Sequence, residues 1–364
     1  MPTLNDRYDL PQGTSSSAAV AAYDEGLDMV LAKRVGVEDC FARAVAEDDG
    51  FALAHAALAM KANDDDEEGR AKQHISRAET LADGLGRRER QHVTAIATIV
   101  NRDAPRALSL LQEHLVEFPR DVLLLQALLQ RTVNTNKIDT RTKVFALLRE
   151  MAQHYEGDWW FLSVYGFVHE ESGLFDEALR LSERALALRP DSAMAAHGKA
   201  HVHYETNDHE TGAAFMTEWL SDHASTSFLG GHLTWHHVLH ELALGHRETA
   251  VSLYEQMLNP SSGKRPTALL DAASILWRWQ IYGLGEGAPV WEPVVALAKE
   301  KTPRGTLGDA HAALAFAGSG DEEALTAFLE NLRERAAGGN TLVSEVSLPL
   351  AEGVTCPPGL FPVL

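Results

Sequence analysis

The stretch Trp160–Pro190, WFLSVYGFVHEESGLFDEALRLSERALALRP, decides the fold. Its apolar residues return every three or four positions, the period of an amphipathic helix. Gly173 interrupts that period midway and Pro190 ends it, so the stretch reads as two helices joined by a turn. Gly166 falls inside the first helix, and Ala178 and Ala185 fall inside the second. Two helices approach closely only where side chains are small, so these three positions mark the line of contact. Pro190 cannot continue the second helix and closes the unit.

Helix pairs of about 34 residues with this spacing are tetratricopeptide units. Other stretches carry the pattern less completely. RALSLLQEHLVEFPRD supplies Ala107, Leu111 and Pro119; LHELALGHRETAVSLYEQML supplies Gly245, Ala250 and Tyr254. Gly212, and further on Ala324 with Phe328, take the same places. The chain therefore reads as all-α, a tetratricopeptide-type helical-repeat solenoid. About five or six helix pairs are expected over residues 19–345, in one continuous domain. Residues 1–18 read as a flexible N-terminus and 346–364 as an irregular C-terminal tail.

Composition narrows the function. The chain has 364 residues and a formal net charge of −20, and charged residues make up 23%. An acidic surface repels phosphate backbones and anionic headgroups, so neither a nucleic acid nor a membrane is an expected partner. No stretch has the roughly 18 apolar residues of a bilayer span, and the first residues lack the apolar core of a signal peptide. The two cysteines, Cys40 and Cys356, stand far apart, so no disulfide framework is expected and a reducing cytoplasm fits. Of 17 histidines, ten fall between His197 and His246.

Several strings carry a more specific likeness: RERQHVTAI from Arg88, FPRDVLLLQ from Phe118, AAHGKAHVHYETND from Ala195, HLTWHHVLHELALG from His232, LLDAASILWRWQ from Leu269 and GDAHAALAF from Gly308. In this order they resemble the tetratricopeptide repeat protein 38 family, over roughly residues 20–345. The resemblance implies a strongly curved or ring-like solenoid and little specific chemistry. The chain departs from it by ending in TCPPGLFPVL where the family continues with a further helical unit. An array without that cap exposes apolar surface, which favours a homodimer.

Repeat register turns the strings into a groove. In such units the first helix lines the concave face through its positions 2, 5, 9 and 12. Counting from the small residue of the second helix places His197 and His201 at 5 and 9, and His232 and Trp235 at 2 and 5 of the next unit. Asp309 takes position 5 of a later one, with His311 close by. Trp160, Ser163 and Glu170 occupy 2, 5 and 12 of the best unit. Residues four apart share a helix face, so His232, His236 and His240 form a stripe. Asp271, Ser274 and Arg278 share another. His197, His236 and His311 are expected to line one enclosed pocket.

Three functions fit these residues. The first is a binding protein holding a small polar ligand or a short peptide against His197, His201, His232, Trp235, His236, Asp271, Ser274, Arg278, Asp309 and His311, with Arg278 clamping a carboxylate or phosphate. The second is an enzyme running acid–base or hydrolytic chemistry in the same pocket, with His236, His311 and Asp309 as catalytic candidates and Ser274 as a possible nucleophile. The third is a protein–protein scaffold in which the histidines are structural. An internal salt bridge from Arg278 to Asp271 or Asp309 is the competing role for that arginine. No metal is expected, because the run HHVLHE from His236 lacks the order His-Glu-x-x-His. No cofactor is expected either, since no phosphate loop or dinucleotide fingerprint occurs.

Overall fold

The computed structural model describes residues 4–133, 140–262, 267–284, 287, 289–300 and 305–354. The chain is an all-α helical-repeat protein that divides into two compact units, where the sequence was read as one continuous domain. The first unit opens with a short antiparallel pair, β1 (Leu4–Asn5) and β2 (Pro11–Gln12). It continues through α1 (Ser17–Leu31), α2 (Val37–Glu47), α3 (Ala52–Asp64), α4 (Glu68–Ala82), α5 (Arg87–Val100), α6 (Ala104–Glu117), α7 (Val122–Val133), α8 (Thr140–Met151), α9 (Trp159–Glu170) and α10 (Phe175–Leu188). Helix α11 (Ala193–Glu205) passes from the first unit to the second after Val202. The second unit holds α12 (His209–His223), α13 (Gly230–Ala243), α14 (Arg247–Leu253), α15 (Ala268–Ile281), α16 (Glu292–Glu300), α17 (Thr306–Ser319), α18 (Glu322–Ala337) and α19 (Leu348–Gly353).

The pair α9/α10 forms where the sequence placed it. Asp158 caps α9 by accepting from the Phe161 N–H at 2.9 Å. Ala178 and Ala185 are fully buried. A Cβ on Gly166 would stand 3.1 Å from Ser182 Oγ, 3.2 Å from Leu181 Cβ and 3.3 Å from the Ala178 carbonyl. The backbone of α9 therefore rests directly on α10, and a side chain here would press its neighbours back by a few tenths of an ångström.

A second device repeats through the chain. The turn after α9 passes through Gly173 at φ +74°, the N–H of Gly173 donates to the Glu170 carbonyl, and that of Leu174 donates to His169. These two bonds satisfy the last carbonyls of the helix and reverse the chain. The same geometry recurs at Lys33, Asp66, Arg102, Asn207, Gly245, Gly283 and Gly320, with φ between 57° and 77°. These residues follow one another at 33 to 38 residues, apart from the step from Arg102 to Gly173, which spans two units. Among the described residues, helices α1 to α18 thus run as nine successive helix pairs in chain order, where five or six were expected. Four of the turns use Lys, Asp, Arg or Asn in place of glycine, so glycine alone does not mark every turn.

The termini also differ from expectation. Residues 4–16 are seated on the first unit: Tyr8, Asp6 and Gln12 are buried, and Arg88 donates to the Pro11 carbonyl at 2.8 Å. At the other end a π-helical turn, Val343–Ser347, leads into α19, so helix extends to Gly353. Val343 and Ala351 pack with Leu329 and Leu332 of α18. Cys40 is buried, as a small apolar residue would be, and Cys356 lies outside the described residues.

Left-handed backbone costs about 1–2 kcal/mol for a residue with a Cβ. Gly173→Ala is expected to lower stability by about that amount, and Arg102→Gly to leave it unchanged or raise it slightly. Urea denaturation followed by far-UV circular dichroism measures both.

Candidate functional site

Three first helices of successive pairs, α13, α15 and α17, bring most of the nominated residues together in the second unit. Asp271 on α15 is almost fully buried. It accepts from His232 Nδ1–H at 3.0 Å and from the Thr267 hydroxyl at 2.5 Å. The His232 ring stacks on Trp235, with centroids 5.3 Å apart and planes 10° from parallel. His236, buried, sets its ring edge-on to both, at 4.9 Å from His232 and 4.6 Å from Trp235. The indole Nε1–H of Trp235 donates to Ser274 Oγ at 2.6 Å. Arg278 lays its guanidinium over the Trp235 ring, 5.8 Å from the centroid, and donates to the Ser274 carbonyl at 3.3 Å. Cation–π contact and hydrogen bond fix the arginine without neutralising it.

Several nominated roles change at this point. Ser274 is spent in both directions: its hydroxyl accepts from Trp235 and donates to the Asp271 carbonyl at 3.1 Å. A nucleophilic serine needs a neighbouring base to take its proton, and this hydroxyl directs its proton to a backbone carbonyl. Asp309 is fully buried in α17 and bound by both arms of Arg335, each at 3.1 Å. Its carboxylate is engaged in a buried ion pair. Neither Asp271 nor Asp309 pairs with Arg278, and among the described residues no carboxylate stands within ion-pairing distance of it.

His311, half-buried on α17, hydrogen-bonds through Nδ1 to the Leu307 carbonyl at 2.7 Å. A carbonyl only accepts, so Nδ1 carries the proton and Nε2 keeps a lone pair. Burial holds this imidazole below its usual protonation range; the Leu307 carbonyl and Asp271 oppose that shift, and Arg278 reinforces it. The wall thus combines a cation, a neutral histidine and three indole or imidazole rings. Trp279 is buried in the core and Trp277 half-buried. A cleft of about 630 Å³ in the same unit, lined by Val290, Trp291, Val295, Lys299 and Asp321, contains none of the nominated residues.

His197 and His201 belong to the first unit. Their Nε2 atoms lie 3.0 Å apart, and Phe167 stacks on His197 at 5.0 Å. His169 is structural as expected, with Nδ1 on the Tyr165 carbonyl at 2.8 Å.

Sequence reading missed a buried polar network in the first unit. Asp121 accepts from Arg88 at 3.0 Å, from His92 at 2.9 Å and from His114 at 3.1 Å, all four residues being buried. These three cationic or proton-bearing groups hold the carboxyl of Asp121 well below the usual carboxylate range despite its burial. Burial keeps His92 below its ordinary protonation range. Arg88 and His92, four apart in RERQHV, carried a signal: two polar groups on one helix face that is otherwise apolar.

No family model matches the chain. Among solved structures the chain resembles a tetratricopeptide repeat protein from Parabacteroides merdae at 12% identity, over 83% of this chain and 98% of that one, with a TM-score of 0.46. It resembles yeast Tom70 at 10% identity over 92% and 87% of the two chains, with a TM-score of 0.46. It also resembles YrrB, a tetratricopeptide repeat protein with an unusual peptide-binding site, at 16% identity over 57% and 97%, with a TM-score of 0.32.

The electrostatics of His311 are open to direct measurement. Its folded-state affinity for protons is below that of the unfolded chain, so it takes a proton late as pH falls below about 6.5. Removing the Arg278 charge in Arg278→Gln is expected to raise the His311 midpoint, and Asp271→Asn to lower it. Imidazole carbon–proton NMR titration checks both directions.

Proposed function

We propose that the protein is a tetratricopeptide-type binding protein whose α13–α15–α17 wall holds the carboxylate or similar anionic group of a small polar ligand, free or at the end of a short peptide. The observation that carries this reading is Arg278. It is half-buried and fixed on Trp235 in a chain of net charge −20, yet Asp271 is taken by His232 and Thr267, and Asp309 by Arg335. A guanidinium presents a planar fork that matches a carboxylate in two parallel hydrogen bonds. Trp235, His232 and His236 offer flat faces beside it, and His311 offers a neutral acceptor. All seven residues of the wall lie in the three strings that resemble the tetratricopeptide repeat protein 38 family, so the reading includes that membership.

Acid–base catalysis at the same wall is the second reading, favoured by one observation: the His311 tautomer leaves Nε2 unprotonated near neutral pH. It differs from simple binding in requiring turnover of the bound molecule.

Native mass spectrometry of protein purified from its own host identifies the adduct. With that compound, Arg278→Gln is expected to bind about 10- to 100-fold more weakly, the loss of one charge-assisted pair. Arg278→Lys is expected to recover part of it, and far-UV circular dichroism is expected to stay unchanged. A ligand whose affinity is the same for wild type and Arg278→Gln refutes the assignment.

A further inference from the structure

The histidine pair on α11 lies outside the wall described above, and within the first unit it meets the carboxylates that end α9. Phe167 stacks on His197 with planes 18° apart and meets His201 edge-on at 5.4 Å, so both rings are held in place. The His201 Nδ1 faces Glu170 Oε2 at 3.3 Å. Glu170 is buried, and among the described residues that oxygen accepts no hydrogen bond. Glu171 follows it: Glu170, Glu171 and His201 each place a ligand atom within 4.8 Å of the other two.

We infer that His197 and His201 bind one divalent cation of the zinc, cobalt or nickel class through the Nε2 atoms of both rings, with Glu170 positioning His201 from behind. Histidines one helical turn apart are a standard ligand pair. Two metal–nitrogen bonds of about 2.0–2.1 Å span roughly 2.9–3.4 Å between nitrogens at near-right to tetrahedral angles, and the Nε2 atoms here stand 3.0 Å apart. Coordination at Nε2 places the remaining ring proton of His201 on Nδ1. There it donates to Glu170 Oε2 and supplies the hydrogen bond that this buried carboxylate lacks. The two carboxylates also set a negative potential that offsets the charge of the ion.

The other buried histidine–carboxylate cluster does not suit a cation. At Asp121 the guanidinium of Arg88 already occupies the oxygen that His92 and His114 face. The inference revises the expectation of no metal, which rested on the run beginning at His236. The pair proposed here stands one repeat earlier, and its carboxylate comes from the preceding helix pair.

The test is titration of the metal-stripped full chain with Co²⁺, read by visible ligand-field absorption, and with Zn²⁺, read by calorimetry. One equivalent is expected to bind. His201→Asn is expected to weaken binding by more than about 100-fold, and Glu170→Gln by about 10- to 100-fold. No absorption band and no heat from wild type, or unchanged affinity in His201→Asn, overturns the inference. If His201→Asn loses its circular dichroism spectrum, X-ray absorption of zinc-loaded wild type decides: two imidazoles around the ion support the site, and fewer than two overturn it.

Discussion

Within the helix pairs, eight turns among the described residues pass through one residue of positive φ, and the order of the molecule depends on that constraint. The left-handed residue lets two N–H groups reach back to the final carbonyls of the first helix, so the helix ends without stranding those polar groups. A fixed turn also fixes register. His236, Ser274 and His311 each stand nine residues before the turn residue of their own pair, Gly245, Gly283 and Gly320. Equivalent positions on successive first helices therefore carry the wall, and the repeat itself gathers residues that are far apart in the chain.

Within that wall, function turns on which acid goes to which base. A buried carboxylate must find a donor or a cation. Asp271 finds a histidine and a threonine, Asp309 finds an arginine from the following helix, and Asp121 finds an arginine and two histidines. Each allocation satisfies a carboxylate that burial would otherwise penalise. Arg278 stays outside these pairings, and its position on Trp235 keeps it pointed and charged.

The decisive helix pair was legible because its contacts demanded small residues: Gly166, Ala178 and Ala185 announce themselves by size. The wall was legible to the extent that it follows helical spacing, which grouped Asp271 with Ser274 and Arg278, and His232 with His236. Partner choice was not legible. Nothing in the spacing of GDAH says that Asp309 meets Arg335, 26 residues later, rather than Arg278. The same holds for Ser274, whose hydroxyl is claimed by an indole from another helix. Four of the eight turn residues within the pairs, Lys33, Asp66, Arg102 and Asn207, are not glycine, so glycine spacing marks only part of the repeat count. The two return hydrogen bonds hold each of them in the left-handed conformation.

The seated N-terminal segment has a consequence of its own. Its Pro11 carbonyl is bound by the guanidinium that also holds Asp121, and burial raises the Asp6 carboxyl to about 6, against two backbone hydrogen bonds and the pull of Arg88. A group protonated more readily when docked than when free favours docking in acid and opposes it as pH rises through about 6. His92, held below its ordinary protonation range, works in the opposite sense. The segment is thus a clasp whose own carboxyl grips best in mild acid, while the histidine beside its seat resists taking a proton.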